Sequence, residues 1–187
     1  MLRPLRGLQN YSSDSNRGFT LMELLVYAAL FVIISMVTIS LFIQIVSVTE
    51  TSRRNRESLD NARRAMDVIA QEIKHAKSVY TSTSALGSHP GQLSLETTRD
   101  ADTVNETSTY VDFYVDDEAL YIKREGPAAQ IITSEKVKVT NLVFTLLNSS
   151  GTGNPTVRTE LTVVYADPIR GPSNSVSLVS TTSLRSY

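Results

Sequence analysis

The chain has 187 residues, 18 basic and 19 acidic side chains, a formal net charge of −1 and a mean hydropathy of −0.08. These averages exclude a disordered polyelectrolyte, a polytopic membrane protein and the basic surplus typical of a nucleic-acid binder. Zero cysteines exclude disulfides, thiolate metal sites and cysteine nucleophiles, and two histidines leave little material for a metal or acid–base centre. Along the chain the averages break down. Residues 1–18 are polar, with Arg3, Arg6 and Arg17 against Asp14. Residues 24–49 follow without a single charge, 26 residues that would extend about 39 Å as a helix. That exceeds the roughly 30 Å hydrocarbon core of a bilayer, so one tilted span fits. The run contains no proline, and its mild polar members (Ser35, Thr38, Ser40, Gln44, Ser47) can bond back to the helix or to a neighbour. A buried helix of a small soluble domain rarely runs so long without charge. A cleavable secretory signal has a shorter apolar stretch and a small-residue cleavage site, whereas Glu50, Thr51 and Ser52 follow here.

The junction between these two parts carries the most specific signal. Arg17-Gly18-Phe19-Thr20-Leu21-Met22-Glu23-Leu24-Leu25-Val26, running straight into the apolar helix, resembles the N-terminus of type IV prepilins, shared by type IV pilins and the pseudopilins of type II secretion. The resemblance implies cleavage by a prepilin peptidase between Gly18 and Phe19, N-methylation of Phe19, and pairing of the Glu23 carboxylate with the new amino terminus of a neighbouring subunit during assembly. The residue types suit that chemistry. Gly18 places no side chain in a protease cleft. Removing residues 1–18 takes three arginines and one aspartate with it, leaving 15 basic and 18 acidic side chains and moving the side-chain charge from −1 to −3. An amine and a carboxylate near the edge of a bilayer each cost free energy that mutual pairing offsets. Thr20-x-x-Glu23 is also a capping-box pattern, and a carboxylate in a first turn suits the helix dipole, so capping and assembly are compatible roles for Glu23. Charge does not orient the span, because Arg53, Arg54, Arg56, Arg63 and Arg64 on the far side answer the N-terminal arginines. The resemblance places the N-terminus in the cytoplasm.

Beyond the apolar run, Leu59, Ala62, Met66, Ile69, Ile73, Ala76 and Tyr80 recur at alternating steps of three and four, a helical stripe. With no glycine or proline in residues 20–79, about 60 residues read as one long helix whose outer half is amphipathic and packs its stripe on the rest of the chain. Arg63 and Arg64 fall on polar faces, and His75 flanks the stripe as a structural residue. The pattern of residues 61–73, Asn-Ala-Arg-Arg-Ala-Met and two further apolar turns, is similar to minor pseudopilins of the J type and PilW-like minor pilins.

After a Ser/Thr/Gly/Pro-rich loop at 81–92 come short alternating or β-branched runs at 93–97, 110–115, 119–123, 130–133, 136–147, 157–165 and 176–182. Asp116-Asp117-Glu118 reads as a hairpin turn without the usual glycine, and residues 148–155 and 167–174 read as turn-rich connections. Strands following a helix rather than alternating with it give an α+β fold with an antiparallel sheet covering the outer half of the helix. The acidic residues Asp100, Asp102, Asp116, Asp117 and Glu118 match no calcium-loop spacing and read as solvated loop charges. His89 has no triad partners, and there is no P-loop, GxGxxG or HExxH. No metal and no cofactor are expected.

The sequence thus divides into a leader at 1–18, a transmembrane or filament-core helix at 19–52, its amphipathic extension at 53–80 and a β-rich extracytoplasmic domain at 81–187. The resemblance implies a pilin-like structural subunit and not an enzyme, in a minor, tip or priming position. The filament would be a type IV pilus or type II secretion pseudopilus, serving secretion, adhesion, twitching or competence for DNA uptake. The implied partners are prepilin peptidase, other pilin or pseudopilin subunits, the inner-membrane assembly platform and the lipid bilayer, with no direct nucleic acid. The implied location is the plasma (inner) membrane as a single-pass protein, then a periplasmic or cell-surface filament. The competing reading is a signal-anchored protein that keeps residues 1–18 and displays a β-rich binding module.

Overall fold

The computed structural model describes residues 18–98, 108–147, 154–166 and 175–185. The leader through Arg17, Asp100 and Asp102, and most of the 148–155 and 167–174 connections lie outside these. The chain separates into two compact units, Met1–Ser47 and Val48–Tyr187, and a single helix α1 (Leu21–His75) contributes to both.

In the first unit α1 is apolar and exposed on all sides, from Leu21 at 79% to Val46 at 45%. Two of its hydroxyls bond back as their spacing allows: Thr38 donates to the Ile34 carbonyl (2.8 Å) and Ser47 to the Gln44 carbonyl (2.9 Å). Of the described helices, α1 alone is long and apolar enough to cross a membrane. So much exposed apolar surface is stable only against lipid or other apolar helices.

In the second unit the outer part of α1 is followed, among the described residues, by eight strands. A five-stranded meander comprises β1 (Ala76–Val79), β2 (Leu93–Thr97), β3 (Thr109–Asp116), β4 (Ala119–Arg124) and β5 (Gln130–Ile131), in that spatial order. A three-stranded sheet comprises β6 (Val137–Leu147), β7 (Thr156–Tyr165) and β8 (Val176–Ser183). Every pairing is antiparallel. The fold is α+β, as the order of the elements implies, but the expected sheet is two sheets.

The helix ends at His75, not at residue 79 or 80. Ala76–Val79 instead join the meander as its first strand, in register with Thr97, Glu96 and Leu95 across a bulge. The strand is held from the side as well. The Glu96 carboxylate accepts from the Ser78 hydroxyl (2.7 Å) and from Lys77 Nζ (3.2 Å). These contacts, with a Ser78-Val79-Tyr80 stretch of weak helix formers, outweigh continuation of the helix.

One core joins α1 to both sheets. Ala62, Ala65, Met66, Ile69 and Ile73 of α1 cluster with Ala76, Leu93, Leu95, Val111, Phe113, Leu120 and Ile122 of the meander. The same cluster takes in Val139, Leu142, Phe144, Val157, Leu161 and Val163 of the second sheet. Ala62, Ala65 and Ala76 are fully buried within this cluster. The buried face also includes Ser58, Asn61 and Glu72, which the apolar stripe omitted, whereas Leu59 is half-buried and Tyr80 is exposed.

Two polar contacts fix the helix on the sheets. Arg124 of β4 donates to Glu72 Oε1 at 2.6 Å, and the Ser134 amide donates to Asn61 Oδ1 at 3.0 Å. Asn61 Nδ2 in turn donates to the Glu57 carbonyl (2.9 Å). The outer edge of β6 is covered by the loop after β1. There Gly87 and Gly91 donate to the carbonyls of Phe144 (2.8 Å) and Leu142 (2.9 Å), and His89 Nδ1 accepts from the Leu142 amide (3.0 Å). The β3–β4 turn places Asp117 (φ 45°) and Glu118 (φ 59°) in left-handed conformations, the geometry of a tight hairpin turn without its glycine.

Candidate functional site

The residues singled out by sequence, Gly18, Phe19 and Glu23, lie within two turns at the start of α1. Gly18, Phe19 and Thr20 precede the first helical residue, Leu21, and all three are exposed. Thr20 begins the helix. Its carbonyl accepts the first intrahelical bond from the Leu24 amide (3.2 Å), and its Oγ1 accepts from the Glu23 amide (3.2 Å). That is the N-cap expected of threonine, and it satisfies one of the otherwise unpaired first-turn donors.

The cap is one-sided. In a reciprocal capping box the Glu23 carboxylate would return to the Thr20 amide. Here Glu23 Oε1 instead accepts from the Tyr27 hydroxyl, one turn on, at 3.4 Å. The Tyr27 ring also meets Phe19 edge to face, with centroids 6.1 Å apart and planes at 70°. Tyr27 therefore contacts both the residue expected to become the N-terminus and the residue expected to pair with it. Sequence reasoning passed over Tyr27, although its i, i+4 spacing from Glu23 is the spacing at which helical side chains meet.

Nothing among the described residues requires glycine at position 18. A Cβ built there meets nothing within 4 Å among the described residues, and its backbone lies outside the left-handed region. Gly91 differs: a Cβ there would lie 2.8 Å from the Leu142 carbonyl oxygen and 3.2 Å from Phe144 Cδ2. Packing accounts for Gly91, whereas no packing among the described residues accounts for Gly18.

Asn61 and Ala62, at the head of the 61–73 pattern, are occupied by the fold through the Ser134 contact and the core. Exposed Arg63 and Arg64 are solvated as expected, and His75 Nδ1 lies 2.7 Å from the Gln71 carbonyl, a local contact. No group of three or more His, Asp or Glu placed to hold a metal occurs among the described residues.

The family model described as the prokaryotic N-terminal methylation motif matches residues 14–39, which include Gly18, Phe19, Glu23 and the first part of the apolar helix. No curated protein and no solved structure matches the chain.

Proposed function

We infer, from a chain that is type IV prepilin-like by its methylation motif and membrane-anchored by its long apolar helix, that it is a structural subunit of a pilus-like or pseudopilus filament and not a catalyst. Prepilin peptidase cuts between Gly18 and Phe19 and methylates Phe19. The apolar half of α1 first holds the subunit in the plasma membrane, with the β-rich domain on the extracytoplasmic side. It then packs against the same segment of other subunits in the filament core. The similarity of residues 61–73 to J-type pseudopilins and PilW-like minor pilins supports a minor, tip or priming position.

The observation that carries this reading is the division of labour at the head of α1. Thr20 caps the helix, so the Glu23 carboxylate is not used up in closing the capping box. Its described partner is a long 3.4 Å bond from a tyrosine hydroxyl that an ammonium group can displace, because a charged donor bonds more strongly than a neutral one. At Gly18, the expected scissile position, an added Cβ would meet nothing among the described residues.

Glu23→Ala tests the assignment. It removes a first-turn acid worth about 0.3–1 kcal/mol to the helix, while the Thr20 cap remains. Processing at Gly18 is therefore expected to continue at a near-normal level, whereas recovery of the subunit in sheared filaments drops. Normal incorporation of that variant would reduce Glu23 to a helix-terminal charge.

A further inference from the structure

The second unit holds a charged recess of about 240 Å³ lined by Glu50, Arg53, Arg54, Glu57, Lys136 and Tyr165. Four of these come from α1 just after the uncharged run ends at Thr49. Lys136 immediately precedes β6, and Tyr165 is the last residue of β7. The two strand ends are locked together, since the Ala166 amide donates to the Lys136 carbonyl at 2.8 Å and Val137 is in register with Tyr165.

The charges are not equivalent. Arg54 is fixed, with Nη2 3.6 Å from the Glu50 carboxylate and its guanidinium 5.9 Å from the Tyr165 ring centroid. The ion pair offsets the Glu50 charge. Glu57 Oε1 accepts from Asn61 Nδ2 at 3.4 Å. Arg53 and Lys136 are exposed and make no ion pair among the described residues. Glu57 makes no ion pair among the described residues, so the recess carries one net positive charge; it offers two cations from different elements, beside an arginine that lies against an aromatic ring.

We propose that this recess is a headgroup site for an anionic phospholipid, whose phosphodiester is held between Arg53 and Lys136. The proposal rests on the reading of α1 as a membrane helix. The uncharged run outlasts the hydrocarbon core, so residues immediately beyond Thr49 enter the headgroup layer, where lipid phosphates are concentrated. Arginine and lysine at that depth are attracted to an anionic leaflet, and tyrosine favours the interface because its ring is apolar and its hydroxyl polar. Arginine's planar fork suits a phosphate oxygen pair, and lysine adds a point charge from the opposite wall. Occupancy would hold the β-rich domain against the bilayer until the subunit is drawn into a filament.

The test uses the full chain, purified in detergent and mixed with equal amounts of phosphatidylglycerol and phosphatidylcholine. Native mass spectrometry then reads the lipid that stays bound. The native protein is expected to retain phosphatidylglycerol in preference by roughly tenfold, the attraction of two cations reduced by the Glu57 carboxylate in the same recess. The double variant Arg53→Gln, Lys136→Gln should bring the ratio close to one. Both side chains are exposed, so an unchanged melting curve is expected to confirm that this variant folds. Arg63→Gln, Arg64→Gln, which removes two exposed charges of the same helix outside the recess, should keep the preference. No preference in the native protein, or a preference that survives in the Arg53/Lys136 variant, would overturn the proposal. Equal retention of inorganic phosphate without lipid would also overturn it, by making the site one for soluble anions. A native chain that fails to float with lipid vesicles refutes the membrane reading itself, and with it this proposal.

Discussion

Replacing Glu72 probes how the outer half of α1 is held on its sheets. The carboxylate is buried to 10% side-chain exposure and takes a 2.6 Å bond from Arg124, whose side chain is 34% exposed. Removing one partner of a fully buried pair costs about 3–5 kcal/mol, because the remaining charge is stranded. Arg124 is exposed enough to be rehydrated, so the cost falls towards that of a hydrogen bond to a charged group, about 1.5–3 kcal/mol. We therefore expect Glu72→Ala to destabilise the second unit by about 2 kcal/mol. In a unit of this size that lowers Tm by roughly 6–8 °C. Arg124→Ala should cost less, about 1–2 kcal/mol, and the double variant should be clearly less destabilised than the sum of the two, with a coupling of at least about 1 kcal/mol. The assay is thermal unfolding of the detergent-solubilised full chain, followed by the circular dichroism of its β-rich part. A Glu72→Ala shift within about 0.5 kcal/mol of zero, or strict additivity, would refute the claim that this pair clips the helix to β4.

Gly91→Ala should destabilise by about 1–3 kcal/mol, since the added Cβ would press on the Leu142 backbone oxygen at 2.8 Å; chemical denaturation measures it, and a neutral result would mean that the loop yields freely. The Ser78 and Ser108 hydroxyls and Lys77, in that order where they lead, hold the Glu96 carboxyl below the usual carboxylate range. A carboxylate depressed in the folded state stabilises above its unfolded pKa, and that contribution is lost as pH falls through the folded value. Amide exchange at Ala76–Val79 should therefore quicken, relative to the core strands, as pH is lowered from about 5 through 4 and below. Glu96→Gln should remove that selective response, and an identical profile in the variant would exclude Glu96 as its source.

Much of this architecture is legible in the sequence because burial leaves a local pattern. Alternation located β2 at residues 93–97 and placed β3, β4, β6, β7 and β8 to within a residue or so at each end. Even the bulge in β6 has a trace, since buried Val139 and Leu142 are three apart where strict alternation would make them two. The missing pieces depend on distant residues. β1 exists because Glu96 and the β2 edge receive it, and Glu72 is buried because Arg124, 52 residues on, meets its charge. The separation into two sheets depends partly on Gly87, His89 and Gly91 covering the β6 edge, which no local period encodes. At the N-terminus the order is reversed. Gly18 stands out in the sequence, and among the described residues nothing packs against it. A residue demanded by a motif but not by the fold points to an outside agent.

That agent would leave a defined product. Intact-mass and N-terminal peptide mass spectrometry of the chain, extracted from membranes of a host with an active prepilin peptidase, reads it directly. The account predicts a chain that begins at Phe19 and carries one additional methyl group on its terminal amine. A chain that still begins at Met1 in that host would contradict it.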